Sequence, residues 1–224
     1  MKCITTPLAA GVFLCLLVGV ASPAWAASPL AAIPVGSAVN YHVTTQTNKP
    51  PVEGGQQSTD NYVRIVRTSV TTFNVQVDGA PAGQITVNSD GSLHVPSSLK
   101  NVLAPFGEMA LLMRGAPQPL APTSSWAADV PIPLAGSTDH VAATVAVTQL
   151  SQVGAEVVAN GQNATTVRPV LREHPADINF NTAMTFNQAR EVTYANSNVS
   201  VVVHKGAFRT KHSGMTWTVS LAGP

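Results

Sequence analysis

The densest run of chemistry-bearing side chains in this 224-residue sequence is Arg168-Pro169-Val170-Leu171-Arg172-Glu173-His174-Pro175-Ala176-Asp177. His174 and Asp177 are of types that ligate metals, and Arg168 with Arg172 could clamp a carboxylate or phosphate through their forked donors. The same residues also make an ordinary solvated loop with local ion pairs, which add little to stability. The six histidines (His42, His94, His140, His174, His204 and His212) contain no H-x-x-x-H pair. His204 and His212 flank Lys205-Gly206 and could meet across a hairpin that Lys205, Arg209 and Lys211 make basic. Asp139-His140 offers one acid–base pair. Ser213 follows His212 directly, but neighbouring side chains on a strand point to opposite faces, so adjacency does not pair a nucleophile with a base. The sequence has no glycine-rich phosphate loop with Lys-Ser/Thr and no G-x-S-x-G elbow. No catalytic residue, metal or cofactor is therefore expected.

Composition narrows the possibilities further. Lys2 followed by the apolar stretch Leu8–Val20 and the small-x-small site Ala24-Trp25-Ala26 has the three parts of a secretory signal, with cleavage expected after Ala26. The apolar stretch is short for a membrane span, which needs about 20 residues. Val12-Phe13-Leu14 before Cys15 argues against a lipidation signal. Removing 1–26 leaves 198 residues, no cysteine, and equal numbers of acidic and basic residues. That excludes a disulfide, a cysteine-ligated metal and a thiol nucleophile from the mature chain. Zero net charge also argues against broad capture of nucleic acid, which needs clustered Lys and Arg. The expected location is the periplasm or exterior of a bacterium, because small secreted eukaryotic domains usually carry disulfides. Ten aromatic residues remain after position 26, few for stacking platforms once Trp126, Trp217, Phe73 and Phe186 enter the core.

The elements that would position any site are mostly strands. Thr71, Phe73, Val75 and Val77 alternate with polar neighbours, as do Val141, Ala143, Val145 and Val147. The pattern returns at Ile178, Phe180, Met184 and Phe186, at Val199, Val201 and Val203, and at Met215, Trp217, Val219 and Leu221. Such alternation predicts antiparallel strands with one buried face. Turn signals separate them at Asp78-Gly79, Asn88-Ser89-Asp90-Gly91, Asn160-Gly161 and Lys205-Gly206. Residues 27–37 read as a flexible leader, and Lys49–Gly55 as a long surface hairpin loop. One segment, Ser97–Arg114, has helical spacing at Leu99, Val102, Leu103, Phe106, Met109, Ala110 and Met113. Ser97 or Ser98 would cap its start, Gly115 its end, and Pro105 would kink or divide it. The proline-rich stretch from Pro117 to Pro133 crosses to the later strands without ending the domain, so 38–224 reads as one unit.

The order of an opening strand through Val39-Asn40-Tyr41, hairpins, Asp90-Gly91, a helix at 97–114, a proline-rich stretch to Trp126, and closing long strands resembles a known group. It is similar to exported bacterial half-barrels of the periplasmic lipoprotein-carrier and lipid-binding type. The resemblance implies a mainly β fold, a strongly curved antiparallel sheet of hairpins around one plug helix. It also implies an apolar ligand between sheet and helix. Phe106, Met109 and Met113 are the candidate lining residues, since Met and Phe adapt to irregular apolar guests; the same three would serve equally as core. The expected function is non-enzymatic, with an apolar small molecule or a cell-envelope protein as partner and no span after signal removal. An envelope interaction module using 48–57 or 205–212 is the alternative. A hydrolase built on 168–177 ranks behind both.

Overall fold

A computed structural model of the chain describes residues 28–48, 56–131, 140–167, 174–204 and 210–223. The expected signal segment 1–26, Arg168, Arg172, Asp139 and the tips of the 48–57 and 205–212 hairpins lie outside the described residues.

Period-two alternation becomes strands β1 (Ala38–Asn48), β2 (Gln57–Arg67), β3 (Thr72–Val77), β4 (Ala80–Val87) and β5 (Leu93–His94) in the first half. The second half supplies β6 (Ser125–Pro131), β7 (His140–Ser151), β8 (Gly154–Val167), β9 (His174–Asn187), β10 (Val192–His204) and β11 (Thr210–Leu221). Every neighbouring pair is antiparallel. The two meanders join because the first strand pairs with the last, Val43 opposite Val219 and Thr45 opposite Trp217. The result is one 11-stranded sheet, with β5 and β6 as its edges. It is open, since those edges pair with each other nowhere in the strand order.

Between the edge strands the chain makes a 3-10 turn, Ser97–Leu99, and helix α1, Lys100–Met113. The helix runs through Pro105 without interruption, which corrects the expected division. No side chain caps its start, and Lys100, not Ser97 or Ser98, begins the α-helical turns. Gly115 is there for room: a Cβ would stand 3.1 Å from Trp126 Cδ1. Trp126 in turn donates its indole N–H to Leu112 O at 2.7 Å, tying the end of the helix to edge strand β6.

One helix cannot by itself cover a sheet this wide. Yet inward residues from nearly the whole sheet are buried, from Ile85 and Phe73 through Tyr41 and Trp217 to Val157 and Val145. The sheet therefore curls so that its inner face meets itself as well as the helix. Bulges at Val75/Gln76, Val147/Gln149 and Val192/Tyr194 supply local bends.

Two expectations fail here. Asn160-Gly161 lies inside β8, paired to Asn181 and Phe180, and makes no turn. The described part of the 27–37 leader is a docked segment instead of a flexible one. Its 3-10 turn, Pro29–Ala32, puts Leu30 and Ile33 in the core. Arg67, buried at the end of β2, holds the segment by donating Nη1 to Ala31 O and Ile33 O, both at 2.8 Å. Its Nε and Nη2 donate to Ser69 O and Val70 O, so one guanidinium joins the segment to the β2–β3 turn. Arg67→Met removes all four hydrogen bonds and is expected to cost at least about 1.5–3 kcal/mol, the range for a single hydrogen bond to a charged group. Urea denaturation reads that loss, and hydrogen exchange should show faster exchange of the Ala31 and Ile33 amides.

Candidate functional site

The helix face expected to line a ligand site is mostly core. Phe106 is 1% exposed and Met109 fully buried, and Phe106 packs edge-on against Tyr41 with ring centroids 5.1 Å apart. Both belong to the hydrophobic core cluster, and neither is among the residues lining the cavity described next. Met113, in the last turn, is the one of the three that reaches a cavity.

That cavity, of about 410 Å³, lies at the end of the sheet where α1 finishes. The docked segment Ser28–Ala32 forms one wall, and the β7–β8 hairpin, Leu150 to Ala155, another. Gln118–Leu120 after the helix and the β9–β10 turn with Phe186, Asn187 and Arg190 complete it. Gly154 fixes how closely β8 meets β9 there, because a Cβ would fall 1.9 Å from Phe186 O. The lining is mainly apolar, with Pro29, Leu120, Met113 and Phe186, and takes its polarity from Ser28, Gln118, Ser151, Asn187, Gln188 and Arg190. Apolar walls with a few placed polar groups and a volume of about 300–1,000 Å³ are typical of small-molecule sites.

The helix carries one feature the sequence reading passed over. Glu108, the acidic residue within Ser97–Met113, is buried on the inner face of the sheet. Trp217 Nε1 donates to its Oε2 at 3.0 Å, and Thr182 Oγ1 donates to its Oε1 at 2.9 Å. Ser197 Oγ lies 2.8 Å from Thr182 Oγ1. A hydroxyl has one proton, so with Thr182 donating to the carboxyl, Ser197 donates to Thr182. The helix is thus hydrogen-bonded to β9 and β11 at one point, and through Thr182 to β10. Burial pushes the Glu108 carboxyl above its ordinary value, outweighing the Trp217, Ser197 and Thr182 hydrogen bonds that favour the charge. The available signal was an acid set inside an apolar helical stripe, directly beside Met109.

The other candidates disperse. Asp177 meets His204, 2.8 Å from Oδ2 to Nε2, across β9 and β10 on the outer face. His174 starts β9. His212 lies opposite Val202, with Thr210 Oγ1 3.4 Å from its ring, and is not brought onto His204. Ser213 is buried on the inner face while His212 lies outside. His140 pairs with Asp129 at 3.2 Å and His42 with Asp60 at 2.5 Å, both at the surface. Among the described residues no group of three or more His, Cys, Asp or Glu is placed to hold a metal. No protein-family model matches the chain, and no curated protein is similar enough to count as a relative.

The raised Glu108 carboxyl fixes a pH dependence. A buried acid that prefers its proton contributes stability fully below its unfolded value near 4.5, and loses it as pH rises through the higher folded value. Glu108→Gln keeps a hydrogen-bonding amide and carries no charge. Urea unfolding across the acid-to-neutral range should show wild type losing stability relative to this variant as pH rises above about 4.5. Parallel profiles would contradict the account. Glu108→Leu orphans buried donors and is expected to cost about 1–3 kcal/mol for each.

Proposed function

We propose that the protein is an exported, non-enzymatic binder of an apolar small molecule, held in the cavity at the end of α1. The observation that carries this reading is the cavity itself, about 410 Å³ with mainly apolar walls drawn from four separate parts of the chain. Walls from Ser28–Ala32, the residues after α1, and two hairpins leave a shaped space that burial of apolar ligand surface would stabilise. Asn187, Gln188 and Arg190 gather on the β9–β10 turn opposite Gln118, with Ser28 and Ser151 as further polar points of the lining, which suits a guest with a polar end.

Export is supported by the position of the first docked residues. Ser28 is buried and Leu30 and Ile33 enter the core, so the expected cleavage after Ala26 would leave this docked segment on the mature chain. Among the described residues, no helix is long and apolar enough to cross a membrane. The alternative, a cell-envelope interaction module, is favoured by a different feature, the open edge of β6, whose outer backbone groups could accept another strand.

Native mass spectrometry of protein isolated without detergent tests the binding role. The expected spectrum shows one small-molecule adduct, and delipidated protein takes up dodecanol. Ala32→Trp, which projects a large ring from a cavity wall, is expected to weaken dodecanol binding by about tenfold or more, a loss of at least about 1.4 kcal/mol. Fresh protein with no adduct, and no uptake by delipidated protein, sinks the reading.

A further inference from the structure

We infer that the guest in this cavity is an amphiphile with an anionic head, a carboxylate or a phosphate monoester, and that Arg190 selects it. The inference rests on the binding role proposed above and adds the chemical class of the ligand.

Among the described residues, Arg190 is the one charged residue lining the cavity. Its neighbours there are neutral, and most are apolar, Pro29, Met113, Leu120 and Phe186 among them. A guanidinium is always protonated, and its planar fork of donors matches the paired oxygens of a carboxylate or phosphate. A cation beside apolar walls is costly unless it stays wet or meets an anion. Arg190 is exposed at the rim, so it keeps its water until a guest arrives.

The local structure keeps that charge uncompensated. Asn187 and Glu191 close the β9–β10 turn on each other: Asn187 N donates to Glu191 O at 3.0 Å, and Arg190 N donates to Asn187 O at 2.9 Å. The Asn187 side chain then takes the neighbouring acid, donating Nδ2 to Glu191 Oε2 at 2.8 Å, while its Oδ1 accepts from Glu191 N at 3.0 Å. Glu191, the nearest carboxylate in sequence, is thereby engaged away from Arg190. The guanidinium instead donates Nη1 to the neutral Gln118 Oε1, which also lines the cavity. Arg190 belongs to none of the ion pairs among the described residues, which join His42 to Asp60, Arg114 to Asp90, His140 to Asp129 and His204 to Asp177.

Backbone geometry shows that the position is held. Arg190 adopts φ of 66°, in the left-handed region that non-glycine residues seldom occupy. The four hydrogen bonds of the turn maintain it there and direct the side chain across to Gln118. A second polar point faces the same space: Ser28 is 3% exposed, lines the cavity, and its hydroxyl has no hydrogen-bond partner among the described residues. A buried hydroxyl without a partner is uncommon, and a ligand oxygen would satisfy it.

Calorimetric titration of the purified protein with dodecanoate, dodecyl phosphate and dodecanol, each below its micelle concentration, separates the possibilities. Wild type is expected to bind at least one of the anionic probes about 10- to 100-fold more tightly than dodecanol, the gain from charge-assisted hydrogen bonds. The tighter of the two identifies the head group. Arg190→Gln should bring both anions down to the dodecanol level while dodecanol affinity stays unchanged, which also shows that the cavity has survived. Arg190→Lys, keeping the charge without the fork, should retain part of the preference. Equal affinity for all three probes in wild type, or a preference that persists in Arg190→Gln, overturns the head-group assignment and leaves the apolar site standing. Binding of no probe overturns the site itself.

Discussion

The inner face of an open sheet has to be covered, and in this chain a single 14-residue helix and the curl of the sheet share that task. Apolar contact is non-directional, so burial alone does not fix where along the sheet a helix rests. Glu108 adds the direction. Its two oxygens meet Trp217 on β11 and Thr182 on β9, with Ser197 of β10 behind Thr182. A misplaced helix would leave a carboxyl and an indole N–H buried without partners, so the polar cluster penalises every register but one. The burial cost of the carboxyl is what raises its affinity for a proton, so specificity of docking is obtained at some expense of stability at neutral pH.

From that anchoring point the remaining architecture follows outward. The helix ends at Met113, where Trp126 accepts its last turn by donating to Leu112 O. Beyond the helix, among the described residues, Ser28–Ile33 enters the concave space, with Ala116 and Leu120 packed beside the core. Arg67 fixes that segment through Ala31 O and Ile33 O, while its other two hydrogen bonds hold the β2–β3 turn. The cavity is the part of the inner face that neither the helix nor the segment covers. The proposed guest would therefore be held at the end of the helix, with no need for the helix to move aside.

Much of this was readable from residue order because period-two alternation is a local signal. Phe180, Thr182, Met184 and Phe186 all fall on the buried face, as do Val199, Val201 and Val203. The helical spacing at 97–114 likewise marks the one segment with a different period. Other features depend on partners distant in sequence. Asn160-Gly161 has turn chemistry, yet Asn160 pairs with Asn181 and a Cβ at 161 would stand 2.8 Å from Ala142 O, so the glycine serves close strand packing. Leu30 and Ile33 are two apolar residues among Ala, Pro and Ser, too few to announce core before Arg67 is seen to bind the carbonyls beside them. Phe106 and Met109 could line a pocket or fill one, and only the curvature of the sheet decides. Arg190 stands out only once the fold sets it against Gln118 on the cavity wall, 72 residues away in sequence.

The claim that binds these parts together is that α1 is permanent core and the ligand site lies beyond its end. Amide hydrogen exchange of the protein with and without saturating dodecanol tests it most directly. The account predicts that residues 100–113 exchange only through global unfolding in both conditions, so that ligand protects them no more than its general stabilisation requires. Additional protection should be confined to 28–33, 150–155 and 186–190. Rapid exchange of the helix in the free protein, with strong protection on binding, would show a lid that closes over its guest and would contradict the account.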